Sequence, residues 1–416
     1  MIRLSTPKKR VQLIDALRGF SLAGIVLANI LAFQYGVFGQ STPQLFGIVG
    51  AERALHSLLL VTVVGSFMPI FAFMFGFGMI KLSESLQSRE LRPKCHLARR
   101  FLMLFVIGML HMTFLWEGDI LMFYGVLGFF LLMFLNRKPR TLLIWAVLLL
   151  AGSGLFGLLA FNPLDPLAHT PSTHMENYIL QSKDVYGSGS YAEIRNFMNN
   201  ADPFGRDFDE TLALLILVSV PLLLVPMFLL GMRAARVGTF DDPEAMRHTY
   251  LRRAVILIPV SLLLKAYGVL APQLSVGGWP GMGIGGALGG TLLALGYIYA
   301  FAWLYVGRSH ARLISRFEAV GRLSLTNYLM QSVICTMIFY GYGLGLFGRA
   351  GVFIGAVIAL AVYGFQLWFS PLYLKKFSNG PFEHVLRIWT YLSWKGQPKK
   401  KRRTQQMTTE NASGVN

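Results

Sequence analysis

The sequence predicts an all-α integral membrane protein of about ten transmembrane helices with both termini cytoplasmic. Two observations carry this. Apolar residues make up 54% of the chain against 14% charged, and they gather in runs of about 20, the length that crosses a hydrocarbon core. The runs cover roughly 13–34, 57–80, 101–116, 119–136, 141–161, 211–232, 253–271, 283–306, 319–342 and 350–373. The second observation is a one-sided distribution of the 38 Lys and Arg residues. With the N-terminus inside, only Arg53, Lys183, Arg195, Arg206 and Arg349 fall outside, while Arg18 and Lys265 lie within spans. Cytoplasmic loops carry such an excess.

Taken in chain order, the first five spans form an N-terminal bundle over residues 1–161, behind a Lys8-Lys9-Arg10 cluster that reads as a retained inner flank and not as a cleaved signal. Residues 162–210 follow as a long extracytoplasmic segment. Pro163, Pro166 and Pro171 start it, Gly187-Ser188-Gly189-Ser190 is a flexible break within it, and Tyr191 to Met198 can form a short helix. Residues 211–394 hold the second group of five spans. The glycine-dense stretch Gly277 to Gly290 has no preceding strand, so it reads as close helix packing and not as a dinucleotide fingerprint. Residues 395–416 form a basic polar tail, Lys399-Lys400-Lys401-Arg402-Arg403 and onward, suited to lipid headgroups.

The net charge of +18 is accounted for by topology and anionic lipid, which excludes nucleic acid as the expected partner. Cys95 and Cys335 are expected at depths too different to pair, and no Cys/His spacing suggests a metal.

Several polar residues interrupt the apolar runs. His111 lies about ten residues into the third span, and Glu117-Gly118-Asp119 makes a tight turn into the fourth, bringing two carboxylates near an imidazole. A carboxylate can set the imidazole tautomer and stabilise its protonated form, as a general base needs. The alternative is a histidine bonded to a neighbouring helix. In the first span, Asp15 and Arg18 share a helix face and can pair, either as a membrane anchor or as part of a phosphate site. Asn29, further outward on that span, is either interhelical glue or a group that fixes a carbonyl or oxyanion.

Gly321 to Tyr328 packs Arg322, Ser324, Thr326 and Asn327 at the start of the ninth span. These residues could cap the helix or bind an anion at its N-terminus. Lys265 needs a buried partner or a wet cavity, which Gln331 could share. Glu52, Arg53 and His56 read as interfacial.

These residues give the chain a resemblance to the YeiB family of bacterial membrane proteins, whose C-terminal half is a domain of unknown function. The resemblance covers nearly the whole length. It rests on Leu13-Ile14-Asp15-Ala16-Leu17-Arg18-Gly19 with Asn29, on Phe71 to Gly78, and on His111 with Trp116-Glu117-Gly118-Asp119-Ile120-Leu121. Tyr186 to Tyr191, Gly321 to Tyr328 and Gly380-Pro381-Phe382-Glu383 with Arg387 complete it. That family is itself similar to a wider group of transmembrane acyltransferases that includes the lysosomal heparan glucosaminide N-acetyltransferase, which takes acetyl groups from cytosolic acetyl-CoA. The similarity to that group lies in Arg18-Gly19 and Asn29; where its catalytic His would follow, this chain has Gln40.

The resemblance implies a bacterial inner-membrane acyltransferase moving an acyl group from cytoplasmic acyl-CoA to a hydroxyl or amine of an extracytoplasmic glycan or lipid. Arg18, Arg322, Ser324, Thr326 and Asn327 would meet the CoA phosphates. Asn29 would hold the thioester oxygen; since Gln40 stands where the group's base would be, the residues themselves point to another base, His111, oriented by Asp119 or Glu117. The alternative is a small-molecule transporter or exporter, in which Lys265, His111 and Asp119 line a proton or substrate path.

Overall fold

A computed structural model describes residues 7–160, 173–205, 210–273, 281–308 and 311–398. The Pro163–Pro171 segment, Gly277 to Pro280 and the Lys399–Arg403 cluster lie outside the described residues. The described chain is all helical, with no strand: α1 (Pro7–Gly39), α2 (Gly50–Thr62), α3 (Phe67–Gln87), α4 (Pro93–Phe114), α5 (Leu121–Leu131), α6 (Pro139–Ala160), α7 (Thr173–Ser188), α8 (Tyr191–Asn200), α9 (Glu210–Arg236), α10 (Arg247–Gln273), α11 (Gly281–Arg308), α12 (Arg312–Arg322), α13 (Ser324–Phe339), α14 (Val352–Lys376) and α15 (Pro381–Tyr391). α4, α6 and α15 open on proline, which suits a first-turn position whose N–H has no helical partner.

Among the described residues, eight stretches of helix are long and apolar enough to cross a membrane. The protein is therefore multi-pass. They correspond to all the expected spans except the fourth and ninth, which are shorter. α5 stops at Leu131, and the chain continues to Phe134 by tighter turns in which each N–H bonds three residues back.

The ninth span is broken at Leu323, between α12 and α13. Three hydrogen bonds hold that break. The Asn327 amide donates to the Val320 carbonyl at 3.1 Å, and the Glu383 carboxylate of α15 accepts the Leu325 and Thr326 N–H groups at 2.7 and 3.1 Å. The second span is also broken. Gly65 (φ 72°) turns the chain between α2 and α3, and Lys265 of α10 donates to the Val64 carbonyl and to the Ser66 hydroxyl. A break at membrane depth needs such partners, because no water is there to supply them.

The segment expected to be a long exposed loop is instead largely helical where it is described. Its expected flexible break is a helix start: Ser190 and Glu193 form a reciprocal capping box on α8, and Tyr186, just before it, is buried among Tyr340 and Phe347. His56, Glu52 and Arg53 differ among themselves. His56 is buried and bonds the Gln40 carbonyl at 2.8 Å, and Glu52 accepts the Phe353 N–H at the start of α14 at 2.9 Å, while Arg53 stays at the surface. Cys95 is exposed, Cys335 is buried, and both are free thiols.

The helices of the two chain halves interleave. α1 packs on α12, α13 and α14, and α9 packs on α3 and α6. The α1–α12 contact is close, because Gly19 lies against the Phe317 backbone and Gly321 against the Asp15 backbone. A Cβ on Gly321 would sit 1.8 Å from the Asp15 carbonyl oxygen, so any side chain there must push two helices apart. We expect Gly321→Ala to cost about 1–3 kcal/mol, the usual range for overpacking. Gly364 has open space around it, so Gly364→Ala should be neutral or stabilising by up to about 1 kcal/mol. Thermal melts of the two variants in one detergent check the difference, and equal melting temperatures would contradict it.

Candidate functional site

Asp15, Arg18 and Asn29 of α1 share one face with Leu22, Ile25 and Ala32 at helical spacing, and the six line a cavity of about 1040 Å³. That volume is at the upper end of ligand sites. α3 and α4 supply the facing walls with residues including Phe71, Met74, Phe75, Phe101 and Leu104, and the start of α13 closes a third side with Ser324, Leu325 and Tyr328.

One end of the cavity is basic. Arg18, Arg100, Arg322 and Arg387 line it together with only two carboxylates, Asp15 and Glu383. Both carboxylates are engaged. Asp15 pairs with Arg18 at 3.0 Å, one turn along the helix, and Glu383 is bound to the α13 N-terminus and to the Thr326 hydroxyl. Arg322 donates to the Ser378 carbonyl at 3.3 Å, and Arg387 to Asn379 at 3.1 Å and to the Gly396 carbonyl at 3.2 Å. Arg100 makes no hydrogen bond or ion pair among the described residues.

The other end is formed by Asn29, Val37, Gln40, Gly65, Trp116 and Gly118. Asn29 is half-buried there, and its amide has no hydrogen-bond partner among the described residues. Gln40 donates to the Val37 carbonyl at 2.9 Å.

His111 and Asp119 meet one residue layer behind this wall. The imidazole Nδ1 lies 2.9 Å from Asp119 Oδ1, with the two side chains 2% and 0% exposed. The α4–α5 turn builds this pair. Asp119 Oδ2 accepts the Met122 N–H at 2.9 Å and so caps α5, and Gly108 lets α5 approach, since a Cβ there would lie 2.1 Å from the Met122 nitrogen. Asp119 thus fixes the tautomer with the proton on Nδ1 and leaves Nε2 as an acceptor. That nitrogen is buried and has no partner, as is the indole N–H of Trp116, whose ring stacks on Phe33 at 4.1 Å. Buried polar atoms without partners are uncommon in folded proteins. Tyr328, which lines the cavity, packs on the imidazole with ring centres 5.6 Å apart.

The structure therefore brings together some of the residues singled out in the sequence and separates others. Arg18, Arg322 and Ser324 share the basic mouth, and Asn29 lies on the same α1 face. His111 and Asp119 pair, but Glu117 points away from them, towards the Tyr186 hydroxyl and the Val37 N–H. Thr326 is bonded to Glu383, and the Asn327 side chain bonds Val320 and Ser370, away from the cavity. The expected anion site at the α13 N-terminus is already filled by the Glu383 carboxylate. Gln331 bonds Gln366 at 2.9 Å between α13 and α14, and Lys265 holds the α2–α3 break, so neither side chain lines the cavity.

Arg100, Arg387 and Trp116 were not assigned roles from sequence. Arg100 reads as one more basic residue of an inner loop, and only its position one helical turn before Leu104 would have placed it on the cavity face. Among the described residues, no group of His, Cys, Asp and Glu side chains could hold a metal.

Known proteins similar to this chain match it over more than nine-tenths of its length. The chain is 32% identical to the "Uncharacterized protein YxaH" of Bacillus subtilis strain 168 over 415 residues, covering 94% of this chain and 97% of that protein. It belongs to the YeiB-like family. The "Uncharacterized protein YeiB" of Escherichia coli K12 is 27% identical over 389 residues, covering 91% and 95% of the two chains. An "Uncharacterized 39.9 kDa protein in amylase 3'region" of Bacillus acidopullulyticus is 25% identical over 401 residues, covering 92% and 94%. Residues 234–393 match the family described as "Protein of unknown function (DUF418)". In this YeiB-like chain that stretch supplies the Arg322, Glu383 and Arg387 side of the mouth, while α1, α3 and α4 lie outside it. No solved structure matches the chain.

Glu117 sits in the α4–α5 turn, where burial pushes its carboxyl up from 4.5 to about 7, opposed by Tyr186 and the Val37 N–H. An unfolded chain ionises this group above about 4.5, whereas the folded one does so only near 7. Glu117 therefore costs stability progressively as pH rises between those values, by about 3 kcal/mol in all. Glu117→Gln should remove that part of the pH dependence. Melting curves from pH 4.5 to 7.5 check this, and a variant with the wild-type slope would contradict it.

Proposed function

We propose that this protein is a bacterial inner-membrane acyltransferase that passes an acyl group from cytoplasmic acyl-CoA to a hydroxyl or amine of an extracytoplasmic glycan or lipid. The observation that carries this reading is the single cavity along one face of α1, basic at one end and reaching the partnerless Asn29 amide at the other. The one-sided Lys and Arg distribution supports a cytoplasmic basic end. Arg18 and Arg322, with Arg100 and Arg387, hold the CoA phosphates, and planar guanidinium groups suit that task. Arg18 and Asn29 are eleven residues apart on one helix, about 16 Å along its axis.

Asn29 donates to the thioester oxygen as the acyl carbon is attacked. The acceptor gives its proton to His111 Nε2 while its oxygen or nitrogen bonds to the acyl carbon. The carbon–sulfur bond breaks, and the proton returns to the CoA thiolate. Because Trp116 and Tyr328 cover the imidazole, the acceptor reaches Nε2 only after the indole swings off Phe33. Such closed sites often tighten or open only in the substrate complex. Transport through a Lys265 path is the weaker alternative, since that ammonium is engaged with Val64 and Ser66.

The test is transfer of labelled acetyl-CoA by protein in nanodiscs to a panel of sugars, amines and lipids. Asn29→Ala should lower kcat by about 10²–10³-fold, the usual loss of one oxyanion donor, and Arg18→Gln should chiefly raise KM for the CoA ester. Neither hydrolysis nor transfer with any acceptor would sink the reading.

A further inference from the structure

The channel between the basic mouth and Asn29 does not suit a ligand that is polar along its whole length. Leu22 and Ile25 of α1, Phe71, Met74 and Phe75 of α3, and Leu104 of α4 line it. The tyrosine hydroxyls in its wall are already engaged, Tyr124 with the Met68 carbonyl at 3.1 Å and Tyr328 with Asp119 at 3.5 Å. An amide or sugar hydroxyl placed there would give up water and gain no partner, whereas an alkyl chain would lose nothing. The methionine adapts its shape to a flexible chain.

The mouth makes the complementary demand. Asp15 is held by Arg18 and Glu383 by the α13 N-terminus, so among the described residues Arg100 has no carboxylate within ion-pair distance, and four arginines against two carboxylates leave the mouth with surplus positive charge. Charge at the end of an apolar channel calls for an anionic head on an apolar tail. We infer that the cavity binds a phosphate-headed amphiphile, its head on Arg100 and the neighbouring arginines and its long apolar chain running along α1 towards Asn29. The inference rests on the acyl-transfer reading for the site and extends it to the ligand's tail. A lipid phosphate and a long-chain acyl-CoA share this chemistry.

The experiment measures binding of butyl and dodecyl phosphate to the full-length protein in nanodiscs of fixed lipid, by displacement of labelled dodecyl phosphate. Wild type should prefer the dodecyl chain by about tenfold or more, as burial of several methylenes requires. Ala28→Phe, which fills the channel beside Asn29, should erase most of that preference. Arg100→Gln should weaken both probes by about tenfold, the loss of one charged hydrogen-bonding partner. Melting temperatures check that each variant folds, and the wild-type chain-length series stands without them.

Displacement of dodecyl phosphate by palmitoyl-CoA at lower concentration than by acetyl-CoA would support the inference with a CoA ester as source. Displacement only by lipid phosphates would support it with a lipid as source. Equal affinity for the two chain lengths in wild type would overturn it. Acetyl transfer with no chain-length effect would overturn the inference and leave the acyl-transfer reading intact. Chain-length-dependent binding without transfer to any acceptor would do the reverse.

Discussion

A polar stripe can lie on a membrane helix only if something other than lipid faces it, and the arrangement around α1 follows from that constraint. Asp15, Arg18 and Asn29 fall on one side of α1 and open on the cavity. Much of its remaining surface is covered by other helices: Leu13, Leu17, Val26 and Ile30 are fully buried. The neighbours are set by this division. α12 crosses where Gly19 and Gly321 allow backbone contact, and α14 is tied in by the Tyr363 hydroxyl, which donates to the Gly19 carbonyl at 2.7 Å. α3 packs on α1 where Phe67 meets Gly24, and with α4 it walls the space left beside the polar face.

Much of this was legible in the sequence, because the signals are local. Runs of apolar residues fix which segments enter the membrane, and the Asp15–Arg18 pair and the approach of a turn carboxylate to His111 follow from spacing along one helix or across one tight turn. The breaks were not legible. Gly65 and Leu323 interrupt apolar runs that read as continuous, and what stabilises each break comes from far along the chain: Lys265 for the first and Glu383 for the second. Hydropathy records whether a residue tolerates lipid. It does not record whether a carbonyl or an N–H will find a partner two hundred residues away.

The same limit explains the site. Glu117 and Asp119 are two residues apart, and sequence alone could not decide which carboxylate meets the imidazole. Helix capping decides it, because Asp119 must face the start of α5 to accept the Met122 N–H, and this turns its other oxygen to His111. Glu117 is left on the opposite side of the turn among tyrosines. Arg100 and Arg387 stayed hidden for another reason. Basic residues at an inner membrane edge are common, and only the assembled bundle distinguishes those that face an enclosed space from those that face water.

The carboxylate of Glu383 joins the last described helix to the break in the ninth span, and Arg387, one turn later, helps to line the mouth. Residues of α1 and of α15 therefore meet at one opening, although nearly the whole chain separates them. During synthesis the first span reaches the membrane long before α15 leaves the ribosome. Until then Arg18 and Asn29 border an unfinished space with no closed mouth. The cavity is thus a property of the completed chain, and a protein cut short before α15 could keep most of its spans and still have nothing with which to hold a ligand.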